Sequence, residues 1–457
     1  MSRQTKLLPI LWSYAKTKLR RFSSVQSLRQ WQDQQVQQVL RTVLPRSPFY
    51  ESYYKGLDIS DWQRFPLIDK SIMMENFDQL NTVGIRQSVA MAIAQKAETT
   101  RDFRATLHGY TVGLSSGTSD NRGLFLIAQA EQQAWAGTIL AKALPAPIWK
   151  PQRIAFFLRA NSNLYETIQK QRIQFEYFDL FESVAAHIER LNAYQPTILV
   201  APASMLRILA EALMAKKLLI SPLKIISVAE VLEPLDEQVI QQAFMQTVHQ
   251  LYQCTEGFLA ATCAYGTLHL NEDILVIQKE YLDKAAGKFM PIITDFNRTT
   301  QPIIRYRLND ILTERQTPCL CGSVLTALEK IEGRCDDIFY LTSQNPSEFL
   351  RPIFPDFIRR TIIIGSDAIE AYAAVQKAPD FIEISLQLPA QHWPVVTVHL
   401  KENLQKLFRE SGCQIPTIEF KPYEPPVRYD QKLRRIRRDF PKPCPEPYSE
   451  LYSDLFG

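Results

Sequence analysis

The chain has 457 residues, 46% of them hydrophobic, so it is long enough for two or more domains with substantial cores, and it is not a disordered protein. Lys and Arg total 52 against 48 Asp and Glu, and the net charge of +4 is too small to favour nucleic-acid binding. Seven scattered cysteines, an odd number, and no secretory signal predict a reducing compartment, and we expect a cytoplasmic protein.

The segment 7–22 mixes Leu, Ile, Trp and Tyr with basic residues, as interfacial helices do. Because it is short and Pro9 interrupts its apolar stripe, we favour a helix packed on the main domain over peripheral membrane contact. No apolar run is long enough to span a bilayer. The rest of the first hundred residues predicts further helices that support a sheet.

The stretch 112–125 reads V-G-L-S-S-G-T-S-D-N-R-G-L-F. Gly117 lets the backbone approach an anion closely. Hydroxyl donors for a phosphate stand on both sides of it, at Ser115, Ser116, Thr118 and Ser119. The spacing of a Walker loop is absent, which disfavours kinases and ATPases of that lineage. The same composition also suits an ordinary surface loop, so the other motifs must decide.

Between about residues 153 and 255, short apolar runs alternate with helical patterns, which predicts parallel β/α units. We expect strands at 154–158, 197–201, 224–229 and 249–253, and helices at 183–194, 204–217 and 235–248. In such sheets ligands bind beyond the carboxyl ends of the strands. This rule selects as site candidates Pro202, Ser204, Ala229, Glu230, Thr255 and Glu256.

The pattern changes after Gly333. Strand-like runs at 369–375, 381–388 and 417–421 alternate with helical patterns at 355–363 and 396–410, which predicts a small α+β domain. We therefore divide the chain into an N-terminal domain, 1–333, and a C-terminal domain, 334–457.

Four further strings follow the Ser/Thr loop: Y-Q-C-T-E-G at 252–257, T-D-F at 294–296, R-Y-R-L-N-D at 305–310 and G-R-C-D-D at 333–337. Glu256, at a strand end, could hold Mg²⁺ that bridges phosphate oxygens. Asp310 offers two acceptor oxygens to the hydroxyls of a ribose. Taken singly, each also suits a solvated strand end or an exposed charged strand.

In this order, the motifs resemble those of the adenylate-forming superfamily, most closely its phenylacetate–CoA ligase and coenzyme F synthetase branch. The resemblance covers about residues 48–438. It implies an α/β enzyme with a large N-terminal domain, a mostly parallel sheet flanked by helices, and a small mobile α+β C-terminal domain. The implied reaction is ATP-dependent activation of a small-molecule carboxylic acid as an acyl-adenylate, followed by transfer to CoA, a carrier protein or another small-molecule acceptor.

The resemblance also implies a role for each motif. The loop at Ser115, Ser116, Gly117, Thr118 and Ser119 is similar to the one that holds the ATP phosphates. Ala229 and Glu230 resemble the residues that line the adenine, and Tyr252 resembles the aromatic residue that stacks on it. Thr255 and Glu256 resemble the pair that meets the α-phosphate and Mg²⁺. Asp310 resembles the residue that binds the ribose.

Three further positions resemble the moving parts of such an enzyme. Arg334 begins the implied hinge between the domains, and Asp336 resembles its pivot. Lys432, in Y-D-Q-K-L-R-R-I-R-R-D-F, resembles the lysine that enters the site for adenylation. The implied catalytic residues are thus Glu256, Arg334 and Lys432, and we interpret the basic run 432–438 as facing ATP rather than nucleic acid.

Three cysteines and a histidine suggest a structural Zn²⁺ site. Cys319 and Cys321 lie in C-L-C-G, and Cys263 and His269 lie in T-C-A-Y-G-T-L-H. Some members of the resembling branch carry such a metal. The alternative is a buried Cys263, a hydrogen-bonded surface His269 and a Cys-x-Cys turn without metal.

We expect an acyl pocket that suits an aryl or medium-length aliphatic acid, among Phe156, Phe157, Leu158, Pro202, Ser204, Met205, Val231, Phe258 and Ala260. One residue departs from the family pattern. Asp120 adds a negative charge to the phosphate loop and should weaken ATP binding unless it points away from the phosphates or Arg122 compensates. A second hypothesis is therefore a catalytically impaired homologue that binds adenine nucleotides and acts as an interaction partner.

Overall fold

The computed structural model describes residues 8–102, 106–115, 122–158, 173–347, 349–425 and 433–441. Its N-terminal part is helical, as predicted. The helices before the first described strand are α1 Leu8–Leu19, α2 Val25–Val43, α3 Pro48–Tyr53, α4 Lys70–Glu75, α5 Phe77–Leu80 and α6 Gln87–Thr100. Helix α2 shows the physical reason, since Ser24 caps its first turn and Leu28, Val36 and Val43 form a buried stripe at helical spacing.

A small antiparallel sheet and one helix come next. The strands are β1 Thr106–Leu107, β2 Tyr110–Leu114 and β3 Leu124–Ile127, and helix α7 spans Gln129–Ala143. The Ser/Thr loop connects β2 to β3 in the sequence. Its described ends pair with each other, because the Ser115 N–H donates to the Gly123 carbonyl and the Gly123 N–H donates to Ser115 Oγ.

Five parallel strands form one half of the main sheet, in the order β5-β4-β6-β7-β8. The strands are β4 Gln152–Leu158, β5 Ile173–Asp179, β6 Ile198–Ala201, β7 Lys224–Ser227 and β8 Val248–Gln253. The intervening helices are α8 Val184–Tyr194, α9 Ala203–Met214 and α10 Pro234–Phe244. The predicted β/α units of this region are therefore confirmed, with bounds that shift by a few residues.

The other half of the main sheet is antiparallel. Beyond β8 the order is β9-β10-β15-β14-β12-β11, and β13 also pairs with β12. These strands are β9 Phe258–Thr262, β10 Leu268–Leu270, β11 Val276–Asp283, β12 Lys288–Asp295, β13 Ile303–Arg307, β14 Asp310–Glu314 and β15 Ala327–Arg334. The α/β class is confirmed, but the prediction of a mostly parallel sheet holds only for the first half. After β8 the chain returns through hairpins without crossover helices, so neighbouring strands run in opposite directions.

A smaller α+β unit follows β15 and has its own apolar core. It contains a hairpin, β16 Phe339–Thr342 with β17 Leu350–Ile353, and a sheet in the order β20-β19-β18-β21. The elements of that sheet are β18 Ala371–Ala378, β19 Phe381–Gln387, β20 Thr417–Pro422 and β21 Ile436–Arg438, with helices α11 Pro355–Gly365 and α12 Trp393–Glu410. The small C-terminal α+β unit is thus confirmed, whereas the division at 333/334 stays a prediction. Within the described part of the chain, no helix is both long and apolar enough to cross a membrane.

Candidate active site

Tyr252, predicted to stack on the adenine, and Asp310, the predicted ribose ligand, meet where β8 ends and β14 begins. The Tyr252 hydroxyl donates to Asp310 Oδ2, and Arg334 Nε lies 3.6 Å from Asp310 Oδ1. This pairing is possible because Asp310 and Arg334 stand opposite each other on β14 and β15. Burial raises the pKa of the Tyr252 hydroxyl, and the neighbouring Asp310 charge adds to this effect. Tyr252 is therefore a neutral donor that fixes the orientation of the Asp310 carboxylate.

Glu256 follows β8 and carries two side-chain hydrogen bonds. Thr255 Oγ1 donates to Glu256 Oε2 over 2.8 Å, and the Tyr306 hydroxyl donates to Oε1 over 3.1 Å. Tyr306 is buried in β13, and the strand-based prediction did not select it. The two donors hold the Glu256 carboxylate in one orientation, while its remaining lone pairs can still meet a cation.

The adenine candidates lie in the turn after β7. Ala229 has a φ of +66°, a left-handed conformation that costs a non-glycine residue about 1–2 kcal/mol. Glu230 accepts hydrogen bonds from the Ser204 N–H over 2.9 Å and from the Leu433 N–H over 3.1 Å. Leu433 belongs to the C-terminal unit, so the residue directly after Lys432 contacts the candidate site. Lys432 itself lies outside the described residues.

Of the predicted phosphate loop, only Ser115 is described; Ser116, Gly117, Thr118, Ser119 and Asp120 are outside the described residues. Arg122, at the end of the loop, is paired with another group. Its two terminal nitrogens bind the two oxygens of Glu98, and its Nε donates to the Ser115 carbonyl over 3.1 Å. The hydrogen bond with Glu98 raises the pKa of Arg122. Arg122 therefore has its charge neutralised by Glu98, which weakens the expectation that it compensates Asp120.

A second cation, Lys70, lies beside this loop and was missed from the sequence. A Cβ on Gly123 would lie 3.4 Å from Lys70 Cε. Burial lowers the pKa of Lys70, the Glu256 charge raises it, and Arg334 lowers it again, so Lys70 stands near both groups. One signal was present in the sequence. Asp69 caps helix α4, which puts a lysine in the first turn, where the helix dipole disfavours positive charge.

A cavity of about 600 Å³ reaches Thr255 and Gly257, the two neighbours of Glu256 in the chain, and extends into the N-terminal part. Its polar end includes Ala229, Glu230, Thr255, Asp295 and Arg298. Arg298 Nη1 donates to the Thr255 carbonyl over 3.0 Å. Burial raises the pKa of the Asp295 carboxyl from 3.8 to about 6. The other end of the cavity is lined mainly by apolar side chains of the parallel strands.

The residues predicted for the acyl pocket coincide only in part with the lining of this cavity, and the acyl pocket itself stays a prediction. Phe156, Leu158, Pro202 and Phe258 line the cavity. The other predicted residues do not line it; they are Phe157, Ser204, Met205, Val231 and Ala260. Phe157 is the clearest case. Side chains alternate between the two faces of the sheet along β4, so Phe157 points to the opposite face and stacks on Phe178, with 4.6 Å between the ring centroids.

Charged groups join the C-terminal unit to helix α10. Arg435 Nη2 lies 2.7 Å from both oxygens of Asp236, which also accepts a hydrogen bond from Arg207 Nη1 over 2.8 Å. Beside them, Arg359 Nε lies 2.6 Å from Glu233 Oε2. The side chains of Arg435 and Asp236 are only 4% and 2% exposed. This ion-pair cluster holds the segment that follows Lys432 against the site.

The four predicted zinc ligands converge. The ligand atoms of Cys263, His269, Cys319 and Cys321 all lie within 4.8 Å of one another. The Cys263 and Cys319 sulfurs are 3.8 Å apart, and Cys321 Sγ is 3.4 Å from His269 Nε2. Four ligands about 2.3 Å from one zinc ion at tetrahedral angles would lie about 3.8 Å from each other. His269 Nδ1 is 3.0 Å from the Leu325 carbonyl, which orients Nε2 towards the cysteines. The donor set therefore fits a structural zinc ion.

Comparisons with known proteins identify the fold of this chain but match it to no sequence family. A scan against protein-family models and a search of curated proteins both find no match. A solved structure of 2-hydroxyisobutyryl-CoA ligase, in the postadenylation state with 2-HIB-AMP, is similar with a TM-score of 0.66 at 16% identity, over 96% of this chain and 94% of that one. The chain has the fold of an acyl-CoA ligase.

The same fold occurs in GH3.15 acyl acid amido synthetase, with a TM-score of 0.56 at 10% identity, over 86% of each chain. The fold that the resemblance implied is thus confirmed, and membership of the adenylate-forming superfamily stays a prediction. The phenylacetate–CoA ligase and coenzyme F synthetase branch stays a prediction, as do the roles of the individual site residues.

Proposed function

We propose that the protein activates a carboxylic acid with ATP as an acyl-adenylate and then transfers the acyl group, with CoA as the first candidate acceptor. The observation that carries the proposal is the meeting of three groups beside a large cavity. Glu256 accepts a hydrogen bond from Thr255, which lines the cavity, and Leu433 donates to Glu230, which also lines it. Asp310 accepts a hydrogen bond from Tyr252, close to Glu256. The fold adds support, since the similar 2-hydroxyisobutyryl-CoA ligase holds an acyl-adenylate.

In the first half-reaction, a carboxylate oxygen of the acid attacks the α-phosphorus of ATP. A bond forms between that oxygen and phosphorus, the bond to the bridging oxygen breaks, and pyrophosphate leaves with the electron pair. The protein has only to position the reactants and stabilise the charge on phosphate oxygens. In this proposal Asp310 holds the ribose, the turn at Ala229 and Glu230 lines the adenine, and Tyr252 orients Asp310.

Cations neutralise the negative charge of the ATP phosphates in this proposal. Glu256 has the oxygen ligands that Mg²⁺ prefers, and a bound Mg²⁺ would neutralise phosphate charge. Lys70 lies beside Gly123, which follows the phosphate loop in the sequence, and near Glu256, so it can contact the β- or γ-phosphate. Lys432 precedes Leu433, which contacts Glu230, so its chain position suits the α-phosphate.

Transfer requires the C-terminal unit to move. Leu433 and the ion-pair cluster occupy the approach to Glu230, and an acceptor thiol needs access to the acyl carbonyl. Rotation around 334–337, where β15 ends in a short 3₁₀ turn, would withdraw Lys432 and open this approach. The thiol sulfur then bonds to the acyl carbon and AMP leaves.

Acid-dependent exchange of labelled pyrophosphate into ATP tests the proposal with a panel of carboxylic acids. We expect exchange with at least one acid, a loss of at least a hundredfold in Lys432→Ala, and little change in the control Lys406→Ala, whose side chain on α12 is 70% exposed. Thioester formation with CoA tests the acceptor. ATP binding without exchange for any acid would instead support the impaired, non-catalytic homologue.

A further inference from the structure

The N-terminal helix α1 forms one wall of the cavity. Pro9, Trp12, Ser13, Lys16 and Thr17 line it, although they are more than two hundred residues from Thr255 in the chain. This explains the apolar stripe that the sequence suggested for 7–22. Ile10 and Tyr14 are buried, so the helix packs on the main domain as favoured, and Trp12 remains 70% exposed at the rim of the cavity.

Helix α1 is held in place by close contact with α7. A Cβ on Gly137 would lie 2.3 Å from the Ile10 carbonyl oxygen and 2.8 Å from the Tyr14 nitrogen, so only glycine permits this approach. Ser13 Oγ donates to the Ala134 carbonyl over 2.6 Å. The wall that α1 supplies is therefore a specific feature of the fold and depends on one position of α7.

Apolar side chains of the parallel strands form much of the remaining lining of the cavity: Ile154, Phe156, Phe175, Ile198, Val200 and Ile226. Two carboxylates among its lining residues are already paired. Glu98 binds Arg122, and Glu131 accepts hydrogen bonds from the backbone nitrogens of Ala128, Thr299 and Thr300. The path from Thr255 to α1 thus suits an apolar chain better than a polar one.

We propose that the activated acid is a long-chain aliphatic monocarboxylic acid whose carboxylate lies near Thr255 and whose tail ends against Pro9 and Trp12 of helix α1. This inference rests on the proposed function and specifies its substrate class. Each methylene that the cavity removes from water is expected to improve kcat/KM about fourfold, until the tail reaches α1. A cavity of about 600 Å³ has room for such a tail.

The test is pyrophosphate exchange with butanoate, octanoate, dodecanoate and hexadecanoate, with phenylacetate and benzoate as the aryl arm. A kcat/KM that rises along the aliphatic series to dodecanoate or beyond supports the proposal. Exchange that is fastest with an aryl acid, or that does not depend on chain length, overturns it and leaves the proposed function standing. The proposed function itself fails only if no acid supports exchange.

Two matched variants on α1 locate the end of the tail. Trp12→Ala removes a side chain that lines the cavity, and Leu19→Ala removes one that is 79% exposed and does not line it. We expect Trp12→Ala to raise KM for dodecanoate about tenfold with kcat unchanged, and to leave KM for butanoate within twofold, because the contact is remote from the reacting atoms. Leu19→Ala should change neither value.

Gly137→Ala provides an independent perturbation, because its methyl group would displace α1 from α7. A selective loss of the long acids in this variant, at an unchanged circular dichroism spectrum, supports the assignment. Equal effects of Trp12→Ala on butanoate and dodecanoate, or no effect on either, would refute it.

Discussion

Replacing Arg435 by methionine should release the C-terminal unit from the candidate site. The two partners of this ion pair are almost fully buried, and Arg435 Nη2 contacts both oxygens of Asp236. Methionine has a similar volume but no charge, so Asp236 would keep only Arg207 as its partner, 2.8 Å away. The variant therefore leaves a buried carboxylate with half of its neutralising groups.

The size of the shift towards the undocked unit follows from the number of charged partners that Asp236 keeps. Breaking a buried ion pair by removing one partner costs about 3–5 kcal/mol, because the other charge stays buried. Since Arg207 remains, we expect the lower end, about 3 kcal/mol. This corresponds to a shift of about a hundredfold in the equilibrium between a docked and an undocked C-terminal unit, at 1.4 kcal/mol for each factor of ten.

Hydrogen exchange separates undocking from unfolding. The Leu433 N–H donates to Glu230 across the interface, whereas Ile436 to Arg438 pair with β18 inside the C-terminal unit. In Arg435→Met we expect faster exchange at Leu433 and retained protection of β21. The control is Arg437→Met, since the ion pair of Arg437 with Asp439 is exposed and contributes at most about 1 kcal/mol. Equal exchange at Leu433 in the two variants would refute the reasoning.

Three further outcomes follow from the site. Purified protein should hold about one zinc ion per chain by elemental analysis; Cys321→Ser should lose it, and Cys413→Ser, outside the ligand cluster, should retain it. Burial raises the pKa of Asp295 from 3.8 to about 6, so ionisation of its carboxyl group destabilises the folded state by about 3 kcal/mol. This destabilisation grows between about pH 4 and pH 6 and reaches its full value above about pH 6. Thermal melts of Asp295→Asn should therefore show a stabilisation over the wild type that increases across this range and then levels off, and a pH-independent difference would contradict the burial argument. Asp120→Gly should lower the apparent KM for ATP, and an unchanged or higher KM would show that Asp120 does not face the phosphates.

Local sequence patterns were sufficient for the parallel half of the main sheet and for the C-terminal unit. The runs at β6 and β7 are short, apolar and bounded by proline, so their period and their position before helices could be predicted. The antiparallel half was less accessible. Strands such as β10, with three residues, are too short to show a period, and their order depends on pairing between distant segments.

The same distinction holds for the site. Tyr252, Glu256 and Asp310 were selected through motif strings. In the structure Tyr252 donates to Asp310, and Glu256 lies near enough to raise the pKa of Tyr252, but their roles stay predictions. Tyr306 and Lys70 were missed because only the folded chain brings β13 and the start of α4 to Glu256. The wall formed by α1 was likewise beyond local patterns, since it depends on a backbone contact between Ile10 and Gly137.

The geometry of the cysteine cluster predicts that the protein is sensitive to oxidation when it holds no metal. The sulfurs of Cys263 and Cys319 are already 3.8 Å apart, and a disulfide requires about 2.05 Å, so a small movement would join them once no metal holds the thiolates. Such a bond would remove two of the four zinc ligands and would prevent reloading until a reductant was supplied. Samples prepared in air would then contain a metal-free fraction that added zinc does not restore, and the turn after β9 would be linked to the loop that precedes β15. Since β15 ends at Arg334, beside Asp310, the redox history of a sample would also affect the strand that borders the ribose site.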